Sequence, residues 1–317
     1  MNITILDADT LGSDISLSLF PSLGEVSVYQ TTSPEETKER IGDAHVLILN
    51  KVKLTKENLP FAKELQLICV TATGYDNIDL SYCREHGIAV CNVKGYSTHS
   101  VAQVTVTTVL SLLHHLPQYH DYVTSGSYTK SGVHNCLTPV FHELYGKTWG
   151  LLGYGDIGKQ VGRIAKSFGC RVIVHKQTPV EEAECVSLEE LCRQSDILTL
   201  HTPLTPKTKG IIGEEQLKLM KPEVILVNAA RGAVWDEGAV AKALKQGQIG
   251  AVGSDVFSVE PMQADHPFQE ILQYPNLCLT PHMAWGAYEA RVRCMEEVAE
   301  NIRSFYRGEK RNRVEEL

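Results

Sequence analysis

The sequence predicts an α/β protein built from two doubly wound, Rossmann-like parallel-sheet domains, one inserted into the other. Three observations predict it. Short apolar segments alternate with amphipathic helical ones along the chain, the order that parallel sheets with helices on both faces require. The apolar segments are nearly continuous, as burial of a strand on both faces demands. The length, 317 residues, suits two domains at roughly 150 residues each.

In the first third, Ile3–Leu6, Val26–Tyr29, Val46–Leu49 and Leu67–Val70 read as strands, with helices over Pro34–Arg40 and Leu80–His86. A long helix over Ser97–Leu116 follows, apolar at Val101, Val104, Val106, Val109, Leu110 and Leu113. The stretch 121–147, with Ser125, Gly126, Ser127 and Pro139, has no regular period. It reads as a long excursion, either an interface arm or a surface loop. Strands are expected next at Thr148–Leu152, Arg171–His175, Ile197–Leu200, Val224–Asn228, Ala251–Ser254 and Leu277–Leu279. A second long helix is expected over Trp285–Arg307. The two long helices read as connections between domains. One domain then holds residues 1–99 and 285–317, and the other holds 100–284.

The net charge of −8 argues against nucleic acid or an anionic membrane surface as a partner, since both need a basic face. The nine cysteines are scattered, form no C-x-x-C pair and are odd in number, so a reducing compartment is expected. Met1–Asp7 has no charged lead and no long apolar run, and reads as a first strand instead of a signal peptide. No stretch approaches the ~20 apolar residues of a membrane helix. The expectation is a cytoplasmic protein, with no metal site assigned.

Thr148-Trp149-Gly150-Leu151-Leu152-Gly153-Tyr154-Gly155-Asp156-Ile157-Gly158 carries G-x-G-x-x-G after a strand and at the opening of a helix. The spacing alone is weak. Its context is what a dinucleotide-binding loop needs. Gly153 permits the tight turn, Gly155 a close backbone approach to a pyrophosphate, and Gly158 close packing of helix on strand. The helix N-terminus presents free N–H groups to the phosphates. The alternative is a glycine-rich turn with no ligand, which strand, loop, helix and next strand together disfavour.

An acid is usual about 20 residues beyond such a loop, on the ribose 2′-OH of NAD. Here that place holds Lys176, preceded by His175. A cation suits a 2′-phosphate, so NADP is favoured over NAD as the cofactor, alone or alongside it. The competing explanation is that Lys176 points into solvent.

Three further segments carry chemistry. Val227–Gly232 places Arg231 after a strand, Asp255–Pro261 places two acids after another, and Thr280–Trp285 places His282 before the last helix. Loops at the carboxyl ends of strands converge in a doubly wound sheet. His282 can pass a proton, since imidazole titrates near neutral pH. Glu260 can bind the far ring nitrogen, fix the tautomer and stabilise the imidazolium. Arg231 can grip a carboxylate with two parallel bonds and polarise the neighbouring carbonyl. Singly, each has an ordinary explanation: a surface ion pair, a cap, a solvated acid. Together they describe a 2-oxo acid reductase.

These segments resemble the D-isomer-specific 2-hydroxyacid dehydrogenase family over nearly the whole chain. The likeness includes Thr71–Asp79, Val101–Gln103, Gly146–Thr148, the glycine loop, His201–Pro206, Asn228–Gly232, Asp255–Pro261 and Thr280–Trp285. The resemblance implies a dinucleotide-binding domain, 100–284, inserted into a discontinuous substrate domain. It implies homodimers clasped by the arm before the glycine loop. It makes Arg231, Glu260 and His282 a catalytic trio and sets backbone N–H groups around Thr73 and Gly74 on the substrate carboxylate. Asp156 and Ile157 would lie against the pyrophosphate, Thr202 and Pro203 on the adenine side, and Thr105, Ala229, Ala230 and Asp255 around the nicotinamide. Two positions depart from the family pattern: Gln103 replaces Glu, and Lys176 replaces the usual Asp.

Within the family, Leu6–Thr10, His282–Trp285 and Glu289–Arg291 look most like glycerate dehydrogenases, which reduce hydroxypyruvate. Hydroxypyruvate or glyoxylate is therefore the expected substrate. Trp285 either walls a small pocket beside His282 or packs between domains. No further domain follows residue 317, which argues against the longer 3-phosphoglycerate dehydrogenases, and Glu260 argues against formate dehydrogenases, which carry Gln there. Two alternatives stay open: a 3-phosphoglycerate or D-lactate-type dehydrogenase, and a dinucleotide-sensing corepressor-like protein.

Overall fold

The computed structural model describes residues 1–316 and divides them into two units. One comprises Met1–Ser97 with the chain from Gly286 onward, and the other Thr98–Trp285, so Trp285 lies in the second unit.

The first unit is a five-stranded parallel sheet of order β2-β1-β3-β4-β5, formed by β1 (Asn2–Ile5), β2 (Glu25–Val28), β3 (Val46–Leu49), β4 (Leu67–Val70) and β5 (Ala89–Cys91). Central β3 and β4 are buried throughout, so VLIL and LICV need no polar face. Edge strand β2 is largely exposed and carries Glu25, a charge that blunts an open edge. Helix α1 (Pro34–Arg40) starts on a Ser33–Glu36 capping box, and α2 (Leu80–Glu85) on the Asp79 carboxylate.

The second unit begins with α3 (Thr98–His114), whose buried face runs through Val101, Ala102, Thr105, Val106, Val109 and Leu112. The helix expected to reach Leu116 stops earlier. His115 takes φ 50, and Pro117 sits in the first turn of a new helix, α4 (Leu116–Thr124). A short α5 (Ser127–Ser131) follows, so part of the stretch read as irregular is helical.

A seven-stranded parallel sheet of order β12-β11-β10-β9-β6-β7-β8 forms the body of this unit. Its strands are β6 (Thr148–Leu152), β7 (Arg171–His175), β8 (Glu184–Cys185), β9 (Ile197–Leu200), β10 (Ile225–Asn228), β11 (Ala251–Ser254) and β12 (Leu277–Leu279). The helices are α6 (Asp156–Ser167), α7 (Leu188–Gln194), α8 (Glu214–Leu219) and α9 (Glu237–Lys245). The order reverses between β6 and β9, the switch point at which such sheets bind ligands.

Helix α10 (Tyr288–Tyr306) returns to the first unit and packs on β4. It begins three residues later than the sequence pattern suggested, after Trp285, Gly286 and Ala287. Ala290, Cys294, Val298 and Ile302 recur at four-residue spacing on its buried face.

Candidate active site

Because every pairing in the second sheet is parallel, the loops after β6, β7, β9, β10, β11 and β12 leave the same edge. The glycine loop is the first. Gly153 has φ +98, a region that L side chains rarely adopt, and its N–H donates to His175 O at 2.8 Å. A Cβ on Gly153 would fall 2.7 Å from the His201 carbonyl, and one on Gly158 would fall 2.5 Å from Gly153 O. A Cβ on Gly155 would meet nothing within 4 Å. No side chain caps α6 at Gly155, unlike α1, α7 and α9. A bare helix N-terminus beside open space fits a pyrophosphate, with exposed Asp156 and half-buried Ile157 next to it.

At the end of β7, His175 Nδ1 lies 3.0 Å from Val186 O, so that nitrogen carries the proton. Lys176 is half-buried and makes no ion pair among the described residues. Its neighbour Lys159 is paired with Glu182 at 2.9 Å. That pairing holds the Glu182 carboxyl below its ordinary range, with Lys176 adding to the field.

After β9, His201 Nε2 lies 2.8 Å from Thr199 Oγ1, which also accepts the Trp149 indole N–H at 3.0 Å. His201 Nδ1 is buried and has no hydrogen-bond partner among the described residues. Burial pushes this imidazole down to about 3, so it is neutral. Thr202 is half-buried and Pro203 exposed, and Pro203 O accepts from Thr208 Oγ1 at 2.6 Å.

After β10, the buried Asn228 side chain shapes the turn. Its Oδ1 accepts the Ala230 N–H at 3.0 Å, and its Nδ2 donates to Arg231 O at 2.9 Å. Ala229, Ala230 and Arg231 are half-buried. Arg231 Nη1 donates to Ala230 O at 2.8 Å, and no carboxylate pairs with this guanidinium among the described residues. A Cβ on Gly232 would fall 2.0 Å from Phe257 C, so the Arg231 segment rests directly on the Phe257–Ser258 peptide.

His282 follows β12. Its Nδ1 lies 2.6 Å from Glu260 Oε2, and Glu260 Oε1 accepts the Phe257 N–H at 3.1 Å. An ionised carboxylate only accepts, so Nδ1 carries the proton and Nε2 is left for other chemistry. His282 has φ 52, a conformation of limited cost for histidine, and its N–H donates to Asp255 O at 2.7 Å.

Asp255 is 4% exposed, and its carboxylate faces this same loop. Thr280 Oγ1 at 2.5 Å and Met283 N–H at 2.9 Å donate to one oxygen, and Ala284 N–H at 2.9 Å to the other. Half-buried Trp285 comes next in the chain. Thr105, also named from the sequence, is buried in α3 and donates back to Val101 O at 2.8 Å.

In the first unit, the turn after β4 holds Thr73 and Gly74. Thr73 Oγ1 donates to Val93 O at 2.9 Å, and Asn92 Nδ2 donates to Thr73 O at 2.7 Å. The Thr73 and Gly74 N–H groups donate to nothing among the described residues. The sequence did not single out Asn92, nor Glu237 and His266 behind the Glu260 loop. Their roles depend on burial and long-range pairing, which no local pattern announces. Among the described residues, no cluster of His, Cys, Asp and Glu is placed to hold a metal, and no helix is long and apolar enough to cross a membrane.

A glycine loop at the switch point and a histidine–carboxylate pair on the same sheet edge define a nicotinamide-dependent oxidoreductase. Residues 106–284 match the family model "D-isomer specific 2-hydroxyacid dehydrogenase, NAD binding domain". The chain is 35% identical over 314 residues to a glycerate dehydrogenase of Methylorubrum extorquens, covering 99% of this chain and 98% of that protein. It is also 35% identical over 317 residues to a hydroxypyruvate reductase of Blautia hydrogenotrophica, covering 97% and 98%. A solved acyclic imino acid reductase, in complex with NADPH and D-Arg, superposes with TM-score 0.87 at 30% identity, covering 99% of this chain and 100% of that one. The chain belongs to the D-isomer specific 2-hydroxyacid dehydrogenase family, enzymes that use a nicotinamide cofactor on a CH–OH group.

Proposed function

We propose that the protein reduces hydroxypyruvate or glyoxylate to the D-2-hydroxy acid, with NADPH preferred over NADH. The observation that carries this reading is the 2.6 Å contact of His282 Nδ1 with Glu260 Oε2, on the sheet edge that also bears Arg231, which pairs with no carboxylate among the described residues. The names of the glycerate dehydrogenase and hydroxypyruvate reductase relatives support the substrate class. Lys176, which makes no ion pair among the described residues, supports NADPH.

When bound, the reduced nicotinamide supplies the hydride that the carbonyl carbon takes up. The chain supplies the rest. Arg231 binds the substrate carboxylate with two parallel N–H bonds and draws electron density from the adjacent carbonyl. Glu260 holds the Nδ1–H, so His282 Nε2–H points its proton at the developing alkoxide. In the reverse direction, the bare Nε2 takes the hydroxyl proton.

Gly153, Gly155, Asp156, Ile157 and Gly158 receive the pyrophosphate, and His175 and Lys176 the 2′-phosphate. Thr202 and Pro203 line the adenine side. Thr105, Ala229, Ala230 and Asp255 lie toward the nicotinamide, Asp255 by fixing the backbone of the His282 loop. The unit from Thr98 to Trp285 is thus the dinucleotide-binding domain. The other unit is the substrate domain, offering the free N–H groups of Thr73 and Gly74. Trp285 lines the substrate side of the His282 loop. The exposed apolar side chains of the 116–145 segment form a homodimer contact.

The test follows loss of NADPH or NADH absorbance with glyoxylate, hydroxypyruvate, pyruvate and 3-phosphohydroxypyruvate. The expected result is the highest kcat/KM for hydroxypyruvate or glyoxylate with NADPH, lost in His282→Ala and Arg231→Ala. A preference for pyruvate or the phosphorylated acid would move the protein to a D-lactate-type or 3-phosphoglycerate dehydrogenase. Dinucleotide binding without turnover would replace the enzyme reading with a sensor.

A further inference from the structure

We propose that Glu237 is a positioning residue for proton transfer, acting through Ser258 on the turn that aims Glu260 at His282. The proposal rests on the reading of His282 and Glu260 as the proton-transfer pair.

Glu237 opens α9 but does not cap it. Asp236 does that, accepting the Ala239 N–H at 3.0 Å. The Glu237 side chain, 9% exposed, turns instead toward the loop after β11. Its Oε1 accepts the Ser258 N–H at 2.8 Å, and its Oε2 accepts the Ser258 hydroxyl. On the other side stands His266, 5% exposed, with Nε2 3.1 Å from Glu237 Oε2. His266 Nδ1 accepts the Phe268 N–H at 3.1 Å, so the ring proton sits on Nε2, which lies near the carboxylate but makes no hydrogen bond among the described residues. Phe257 and Phe268 meet the His266 ring edge-on at centroid distances of 5.5 and 4.9 Å. The imidazole is boxed and cannot swing away from the carboxylate.

The geometry gives this pair a direction of action. Ser258 is bonded to Phe257, whose N–H holds Glu260 Oε1 at 3.1 Å, and Glu260 Oε2 holds His282 Nδ1 at 2.6 Å. One carboxylate behind the turn therefore fixes the Phe257–Ser258 peptide, which adjoins the one whose N–H orients the carboxylate in front of it. The Phe257–Ser258 peptide also supports Gly232, next to Arg231. A shift at Ser258 moves Glu260 and disturbs the seat of the Arg231 backbone together. Apolar packing alone could close this loop. A carboxylate taking the Ser258 N–H and O–H at once fixes its orientation as well.

The experiment compares Glu237→Gln, Ser258→Ala and Ser258→Thr with Glu260→Gln and the double variant Glu237→Gln/Glu260→Gln in the full-length protein. Kinetics of 2-oxo acid reduction give kcat and KM, nicotinamide fluorescence gives cofactor Kd, and thermal unfolding gives Tm. Glu237→Gln keeps the shape but presents an amide N–H where the two Ser258 donors converge. It lowers kcat about 10-fold or more, as expected for small displacements of a reacting group. Cofactor Kd stays within about twofold, since the glycine loop is untouched.

Ser258→Ala, the gentler change, lowers kcat in the same sense, and Ser258→Thr restores it. The double variant is no slower than Glu260→Gln alone, because both changes act on one contact. A merely structural role would lower Tm and add to the Glu260→Gln defect, and that result overturns the proposal. So does an unchanged kcat in Glu237→Gln and Ser258→Ala while Glu260→Gln is impaired. If Glu260→Gln itself is unimpaired, the proton-transfer reading falls first and Glu237 loses its role with it.

Discussion

Glu260 and His282 are joined at 2.6 Å, and the same carboxylate is tied at its other oxygen to the Phe257 N–H at 3.1 Å. Both oxygens accept, so an amide cannot replace the acid without turning an N–H toward a donor. Glu260→Gln therefore loosens the ring. It lowers kcat for reduction, with a smaller effect than the roughly 10²- to 10⁴-fold loss expected for His282→Ala. Stopped-flow and steady-state rates check this. Reduction consumes the Nε2 proton, and oxidation of the hydroxy acid returns one to the bare nitrogen.

Asp255 holds the loop that carries His282. Its oxygens accept from Thr280 Oγ1 and from the Met283 and Ala284 N–H groups, at 4% exposure. Asp255→Asn puts an amide N–H against one of these donors. Leaving a buried backbone group unpaired costs about 1–3 kcal/mol. Urea unfolding should show that loss, and kcat should fall even at temperatures where the variant is fully folded. Full activity in a folded Asp255→Asn would mean that the loop is set by other contacts.

Lys176 should decide the dinucleotide. A hydrogen bond to a charged group contributes about 1.5–3 kcal/mol, which corresponds to roughly 10- to 100-fold in affinity. Lys176→Ala should raise the KM for NADPH by that factor and leave NADH nearly unchanged. Lys176→Asp should go further and favour NADH, by accepting the ribose 2′-OH and repelling the phosphate. Equal effects on both cofactors would place the lysine in solvent.

How far the sequence made this visible depended on burial. Strands β3, β4, β6, β7, β9, β11 and β12 match their apolar segments residue for residue, since the run itself marks each strand. Strands β5 and β8, with three and two residues, are too short to leave a pattern. Helices α4 and α5 bury no residue, so they carry no core-facing stripe to read. The placement of Arg231, Glu260 and His282 was legible because each follows a strand, and parallel strands end at one edge. Glu237 and His266 were not, because a buried pair drawn from a helix start and a distant loop has no spacing rule.

The arm makes a prediction about assembly. Val133, Leu137, Val140 and Tyr145 are 57%, 66%, 67% and 79% exposed, more apolar side chain than a free surface usually concentrates. If these residues face a second copy, light scattering on the eluted protein gives twice the chain mass. Leu137→Asp with Val140→Asp should then yield monomers. A monomeric parent protein would refute the dimer.

His201 makes stability depend on pH in a defined direction. Its Nδ1 is sealed without a partner, and burial pushes the imidazole down to about 3. In the unfolded chain the same group titrates at about 6.5. Above that pH the ring is neutral in both states and contributes no slope. Below it the unfolded chain binds a proton that the folded ring refuses, so stability is lost as pH falls from about 6.5 toward 3. At pH 5 the loss from this one group reaches about 2 kcal/mol. Denaturant unfolding at pH 8 and pH 5 should show it as part of the acid sensitivity. His201→Asn cannot take up the proton, so the difference between the two pH values should shrink by about that amount. At pH 8 the variant should be the less stable protein, because the contact with Thr199 Oγ1 at 2.8 Å is gone. An unchanged pH slope in a folded His201→Asn would show that the ring is hydrated and titrates freely.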